Sequence, residues 1–142
     1  MNKSEITKYQ DLAFLFLRIG VALIFIYAGW GKLTGIEGVA GFFGSLGIPL
    51  AGLMAWIVAI LEFFGGLMIL AGAYTRIPAP FLAFIMVVAL FTTKLGGDFS
   101  SARLDLLLLF ATMAVGILGS GKYSVDQILA GKESESANKA VA

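Results

Sequence analysis

Four long apolar stretches, separated by short polar or glycine-rich segments, dominate the chain. They lie at about residues 12–31, 49–72, 77–94 and 100–118. Each has roughly the 20 residues that an α-helix needs to cross the hydrocarbon core of a bilayer, about 30 Å at 1.5 Å per residue. The pattern predicts an all-α fold, an integral membrane four-helix bundle with short loops.

The segments outside these stretches are short. Residues 1–11 form a polar N-terminal segment, residues 12–120 the four-span bundle, and residues 121–142 a polar tail. We expect this tail to be largely disordered after about residue 130, because it contains few apolar residues to bury. The glycine-rich segment 31–49 is expected to form a short interfacial segment between the first two spans.

Composition narrows the class of protein further. The chain is 59% hydrophobic and only 13% charged, whereas soluble domains usually carry about a quarter charged residues. The net charge of +1 gives no reason to expect nucleic acid as a partner. Cysteine and histidine are both absent, which excludes disulfides, thiol chemistry, His-ligated haem and ordinary zinc sites. We therefore expect no metal site.

The distribution of basic residues predicts the orientation in the membrane. With four spans, both termini and the loop between spans two and three share one side. That side carries six basic residues and the other side three, namely Lys3, Lys8, Arg76, Lys122, Lys132 and Lys139 against Lys32, Lys94 and Arg103. Because basic residues concentrate on the cytoplasmic side, both termini are predicted to be cytoplasmic.

Charged residues interrupt the apolar stretches, among them Arg18, Glu62 and Asp105. An ionisable side chain at the centre of a bilayer costs about 2.5–3.5 kcal/mol on insertion scales, so it needs a partner or a hydrated cavity. We expect Arg18 of span one to pair with Glu62 of span two at similar depth. We expect Asp105, which begins span four, to pair with Lys32 and Lys94. These five residues form a candidate polar seam or ligand site.

The seam has two interpretations that the sequence leaves open. Paired charges and small residues hold membrane bundles together, and Gly29, Gly65, Gly66 and Gly116 are predicted to be helix-packing residues of this kind. Intramembrane ionisable groups also mark proton paths and ligand pockets. Arg18 and Glu62 fit either interpretation, whereas Asp105 lies closer to the interface and fits a structural role better.

Several short motifs in a fixed order resemble the DoxX family. They are Leu17-Arg18-Ile19-Gly20, Gly29-Trp30-Gly31-Lys32-Leu33, Phe43-x-x-Leu46-Gly47-Ile48-Pro49, Glu62-x-x-Gly65-Gly66, Gly72-x-x-Thr75-Arg76, Asp105 and Gly119-x-Gly121-x-x-Ser124-x-Asp126. The resemblance implies a four-helix protein of the bacterial inner membrane. It also implies an association with membrane oxidoreductase assemblies, since related proteins include membrane subunits of thiosulfate:quinone oxidoreductase. More distant relatives resemble chaperones and cargo receptors.

Three functions remain in competition at this point. The first is a membrane subunit of an oxidoreductase-type assembly, with quinone as the conceivable cofactor, Arg18 and Lys32 as hydrogen-bond donors and Glu62 as proton acceptor. The second is a non-catalytic scaffold or chaperone for other membrane proteins. The third is a small proton or solute carrier. Because no nucleophile or ligand set is apparent, we do not expect the isolated chain to be an enzyme. Its expected partners are the lipid bilayer and a membrane protein or a second copy of itself.

Overall fold

A computed structural model describes residues 1–94, 99–119 and 121–141 of the chain. Within these ranges the structure is all-helical and contains no strand. It has six α-helices and one π-helical turn: α1 (Lys3–Thr34), α2 (Ile36–Ser45), α3 (Ala51–Ala71), α4 (Pro78–Ala89), the π-helical turn (Leu90–Lys94), α5 (Phe99–Leu118) and α6 (Val125–Val141). The four long stretches predicted from the sequence correspond to α1, α3, α4 with its π-helical turn, and α5.

Helix α1 is longer than the apolar stretch that it contains. It begins at Lys3 because Asn2 and Glu5 form a capping box, in which the Asn2 N–H donates to the Glu5 carboxylate at 3.1 Å. It ends at Thr34, and Gly35 separates it from α2. The polar N-terminal segment is therefore the first part of a continuous helix.

The core lies between four helices, and α3 is at its centre. Helix α3 packs against α1, α2 and α4, and α4 packs against α5. The core side chains are apolar and come from all four long helices: Val21, Ala22, Phe25, Ile69, Leu82, Met86, Leu108 and Val115. Small residues bring the helices close, as the positions of the glycines below show.

The outer faces of the helices are also apolar. Large side chains such as Tyr27, Phe84 and Phe110 are more than half exposed. An exposed apolar surface of this extent indicates contact with lipid or another protein. Among the described residues, α1 and α3 are each long and apolar enough to cross a membrane, and residues 78–92 form a shorter apolar helix.

Helices α1 and α3 run antiparallel, and their contacts define the register. A Cβ added to Gly29 would lie 2.4 Å from the backbone nitrogen of Phe63, and one added to Gly72 would lie 2.8 Å from a guanidinium nitrogen of Arg18. Residues 18–32 of α1 therefore face residues 72–62. The first 15 residues of α1 extend past the end of α3, by about 22 Å at the helical rise.

The C-terminal tail differs from the expectation of disorder. Residues 125–141 form helix α6, which has no buried residue. Its composition explains the helix, because it contains Ala, Glu and Lys but no Pro, and Lys139 pairs with Glu135 at 2.8 Å. Low burial alone did not determine the conformation of this segment, since local propensity and i,i+4 pairing favour the helix.

Candidate functional site

A buried ion pair joins α1 to α3. The ammonium of Lys32 lies 2.6 Å from Oε2 of Glu62. The Glu62 side chain is only 2% exposed and that of Lys32 is 27% exposed. Lys32 lies in the last turn of α1, where the partial negative charge of the helix C-terminus also favours a cation. The ammonium of Lys32 is thus stabilised both by the end of α1 and by the Glu62 carboxylate, whose charge it neutralises.

The pair lies near the middle of α3 and at the end of α1. Glu62 is eleven residues after Ala51 and nine before Ala71, which is about 16 Å and about 14 Å from the helix ends. Because α1 ends only two residues after Lys32, the part of α3 before Glu62 is accompanied by α2 instead. The ion pair therefore lies where α1 ends and α2 replaces it against α3, which we call the interruption of the helical layer.

A second carboxylate is close to this pair. Asp105 of α5 is half-buried and lies near enough to Glu62 for the two negative charges to interact. Lys32, which we expected to pair with Asp105, is instead bonded to Glu62. The side chain of Lys94, the other expected partner, lies outside the described residues. The Lys32, Glu62 and Asp105 side chains thus form one charged cluster, which we call the central cluster.

Arg18 belongs to a different site, so the expected Arg18–Glu62 pair is not formed. Its side chain is 3% exposed and donates hydrogen bonds to the backbone carbonyls of Leu70 and Tyr123. The register of the two antiparallel helices explains the error. The first four turns of α1 extend past the C-terminal end of α3, so Arg18 faces Gly72 and not the middle of α3. Arg18 and Lys32 are 14 residues apart on α1, about 21 Å along the helix.

The chain around Arg18 is a closely packed junction of three segments. Helix α3 ends in a Schellman motif, in which Gly72 has φ +71° and the N–H of Ala73 donates to the Met68 carbonyl at 2.9 Å. A Cβ on Gly72 would lie 2.4 Å from the Cβ of Ser124. The N–H of Asp126 donates to the Gly72 carbonyl at 3.3 Å. We call this the C-terminal junction.

Side chains of the junction cap α6 and fix the turn after α3. The Ser124 hydroxyl accepts from the Gln127 N–H at 3.2 Å, which caps the first turn of α6. The Asp126 carboxylate accepts from the N–H of Tyr74 at 2.8 Å, and Tyr74 has φ +48°. The motif Gly119-x-Gly121-x-x-Ser124-x-Asp126 is therefore a structural element of this junction.

The four glycines singled out in the sequence all lie at close helix contacts. Gly29 faces the Phe63 backbone, and Cβ atoms on Gly66 and Gly65 would lie 2.9 Å from Ile26 and 3.2 Å from Leu82. A Cβ on Gly116 would be 3.1 Å from that of Ala79. Gly29 and Gly66 thus set the distance between α1 and α3.

The acceptors of Arg18 could not be identified from the sequence. They include the main-chain carbonyls of Leu70 and Tyr123, and a carbonyl group carries no signal in the identity of its residue. The one available clue was Gly72, because a glycine just after an apolar helix predicts a left-handed residue and therefore a turn. The sequence therefore indicated that Arg18 needs a partner, but not which partner.

Comparisons with known proteins agree with one another. The family model DoxX matches residues 13–95. The Bacillus subtilis (strain 168) protein named "Putative oxidoreductase CatD" is 35% identical over 127 residues, which cover 89% of this chain and 90% of that protein. "Inner membrane protein YqjF" of Escherichia coli (strain K12) is 37% identical over 126 residues, covering 86% and 95%. No solved structure matches the chain.

Proposed function

This chain belongs to the DoxX family of membrane proteins, and from that premise we propose that it is the integral membrane subunit of an oxidoreductase-type assembly. The observation that supports the proposal is the central cluster, where Lys32 and Glu62 are paired beside Asp105. The oxidoreductase name of the Bacillus subtilis relative supports the same proposal. In this proposal a partner subunit carries out the redox chemistry, and this chain provides the membrane site.

The proposed topology has four crossings and both termini in the cytoplasm of a bacterial inner membrane. Helices α3, α4 with the π-helical turn, and α5 each make one crossing, and α1 with α2 makes the other. The exposed apolar faces and the excess of basic residues beside the termini support it. In this topology Glu62 lies near the bilayer midplane, because it is near the middle of α3.

Glu62 is suited to hold and release a proton within the bundle. Its carboxylate is almost fully buried and is stabilised by the ammonium of Lys32. Lys32 is itself partly exposed, so a ligand that approaches the cluster from that side meets a hydrogen-bond donor first. Movement of Lys32 toward such a ligand would leave Glu62 unpaired, which favours its protonated form. The pair thus couples ligand contact to the protonation of a buried acid.

A membrane quinone fits the residues at this cluster. A quinone ring needs a hydrogen-bond donor and an apolar surface, and the Lys32 ammonium and the exposed ring of Trp30 provide them. Trp30 packs against Phe63 with 5.9 Å between ring centroids, which holds its ring beside the cluster. When bound, a quinone would supply two-electron chemistry coupled to protons. Lys32 and Glu62 would orient the ring and exchange the proton.

The experiment that tests this proposal is mass spectrometry of the bound lipids. The protein is purified in mild detergent as the wild type and as Glu62→Gln and Lys32→Met variants, and the extracts are analysed for quinones. Glu37→Gln is the matched control, because Glu37 is an exposed acid of α2. We expect near-stoichiometric quinone in the wild type and the control, and loss of most of it in both cluster variants.

The other outcomes distinguish the competing functions. Quinone retained in both cluster variants would remove the central cluster from the proposal. Wild-type protein without quinone but with a co-purifying membrane protein would favour a scaffold. Proton flux in reconstituted vesicles that disappears in Glu62→Gln would favour a carrier.

A further inference from the structure

Arg76 lies where two hollows of the surface meet, at the junction end of the bundle. The first hollow has a volume of about 420 Å³ and is lined by polar residues such as Thr75, Ser124 and Asp126 together with apolar ones. The second is an apolar groove of about 410 Å³ between α4 and α5, lined by residues such as Ala83 and Leu109. Arg76 lines both. We call them the polar hollow and the α4–α5 groove.

The guanidinium of Arg76 is available for a ligand. Arg76 is exposed and has no hydrogen bond or ion pair with any of the described residues. It is held in place by packing, because a Cβ on Gly119 would lie 3.0 Å from its Nε. Its position over the end of α5 also suits the partial negative charge there. A planar guanidinium with free N–H groups is the side chain best shaped for a phosphate.

The two hollows follow one another as the head group and the acyl chain of a lipid do in one leaflet. The polar hollow lies at the end of the bundle, and the groove extends from Arg76 along α4 to Val87, toward the middle of the bundle. That distance is eleven residues, about 16 Å along the helix. Small side chains, Ala79 and Ala83 on α4 and Gly116 on α5, leave the groove open. A polar head would therefore lie at the end and an apolar tail along the groove.

The charges of the polar hollow select among head groups. Arg76 provides one positive charge, and the carboxylate of Asp126 provides one negative charge while it accepts the Tyr74 N–H. A head group with an excess negative charge would face that carboxylate, whereas a zwitterionic head presents a phosphate to Arg76 and an ammonium to Asp126. The combination of both charges favours the zwitterion.

We propose that the polar hollow and the α4–α5 groove together bind one zwitterionic glycerophospholipid of the bilayer. The phosphate lies on Arg76, the ammonium of the head faces Asp126, and one acyl chain lies in the groove between α4 and α5. This site is at the opposite end of α3 from α2 and is separate from the central cluster, so it rests on the proposed membrane topology but not on the proposed quinone site.

Native mass spectrometry of the detergent-purified full chain tests the site with four probes. They are dioleoylphosphatidylethanolamine, dioleoylphosphatidylglycerol, dioleoylglycerol and glycerophosphoethanolamine. We expect the first to bind at one copy per chain and the others at least about tenfold more weakly, since each lacks one of the charges or the chains that the site contacts. Equal binding of dioleoylglycerol or of the head alone would overturn the proposal, as would equal binding of the phosphatidylglycerol.

Two variants test the two halves of the site separately. Arg76→Gln removes the phosphate donor, and Ala83→Phe fills the groove without changing Arg76. We expect each to weaken phosphatidylethanolamine binding at least about tenfold. Lys122→Gln is the control, because Lys122 is an exposed cation of the same loop region and lines neither hollow. Unchanged binding in either of the two variants, or an equal loss in Lys122→Gln, would refute the site.

Discussion

Lys32 and Glu62 form an ion pair between the last turn of α1 and the middle of α3, with 2.6 Å between Nζ and Oε2. Burying two charges is costly even when they are paired, and apolar replacement of a buried pair is often neutral or stabilising. A pair kept at this depth is therefore a poor way to stabilise a bundle. In the proposed function, the pair at this interruption of the helical layer serves ligand binding or proton exchange.

A double-mutant cycle on this pair has a definite expected result. Lys32→Met leaves the Glu62 carboxylate buried and unpaired, and we expect it to lower the free energy of unfolding by about 2–4 kcal/mol, slightly less than for a fully buried pair because Lys32 is partly exposed. Lys32→Met combined with Glu62→Leu removes both charges, and most of that loss should be recovered. Unfolding in mixed micelles with increasing sodium dodecyl sulfate measures both.

The alternative outcome of that cycle is equally clear. If the double variant is as unstable as Lys32→Met alone, the pair contributes to packing that leucine and methionine cannot replace. The pair would then be structural, and the proposed role of the central cluster in ligand binding and proton exchange would lose its main support.

The contact of Gly29 with the Phe63 backbone predicts a strong effect of a single methyl group. Gly29→Ala places a Cβ 2.4 Å from the backbone nitrogen of Phe63, and a backbone atom cannot move aside as a side chain can. We expect α1 and α3 to separate and the free energy of unfolding to fall by about 1–3 kcal/mol, the usual cost of overpacking.

Gly20→Ala is the matched control for that experiment. Gly20 is in the same helix, and a Cβ there would have no atom within 4 Å. The substitution should be neutral or should stabilise the helix by up to about 1 kcal/mol, through helix propensity. Equal effects of the two substitutions would contradict the register of α1 on α3.

The sequence was sufficient for the four long apolar helices, but not for the start of α1, for α6 or for the register of the helices. The stretch 49–72 predicted α3 within two residues, because Pro49 and Gly72 punctuate its ends. The pairing of Arg18 with Glu62 was wrong because it assumed that the first helix begins at Leu12. The capping box at Asn2 extends that helix by more than two turns, and the facing positions depend on the glycine contacts between the two helices.

The central cluster could be predicted in part. Its residues Lys32, Glu62 and Asp105 were all recognised as candidates from their charge within apolar stretches. Which of them pair depends on a difference of a few residues in depth, about 1.5 Å for each residue, and hydropathy does not resolve this. The polar hollow beside Arg76 could not be predicted, since it is formed by two distant parts of the chain, the turn after α3 and the stretch from the end of α5 into α6.

Substitution of Arg18 should loosen the C-terminal junction. Arg18→Met removes the hydrogen bonds to the Leu70 and Tyr123 carbonyls, and a hydrogen bond from a charged donor contributes about 1.5–3 kcal/mol. We expect faster amide hydrogen exchange in residues 121–128, with the α1–α3 contact near Gly29 unchanged. Arg103→Met, at an exposed arginine of α5, is the control. Unchanged exchange in Arg18→Met would show that the junction is held by other contacts.

Truncation of the chain should distinguish α6 from the junction that precedes it. A chain ending at residue 131 loses most of α6, which has no buried residue, and should unfold at the same temperature as the full chain. A chain ending at residue 119 also loses the Tyr123 carbonyl and the contact of Gly121 with Phe14, and should be markedly less stable. A large loss of stability in the longer truncation would contradict the exposed position of α6.

The hydrogen bond from Arg18 to Tyr123 also concerns the order in which the protein is made. The two residues are 105 positions apart, so the ribosome synthesises the donor long before its acceptor exists. During that interval the first helix carries a cation that lacks one of its final partners, and in the proposed topology such a cation favours a position near water. Arg18 can therefore make its full set of hydrogen bonds only after α5 and the turn that follows it have left the ribosome.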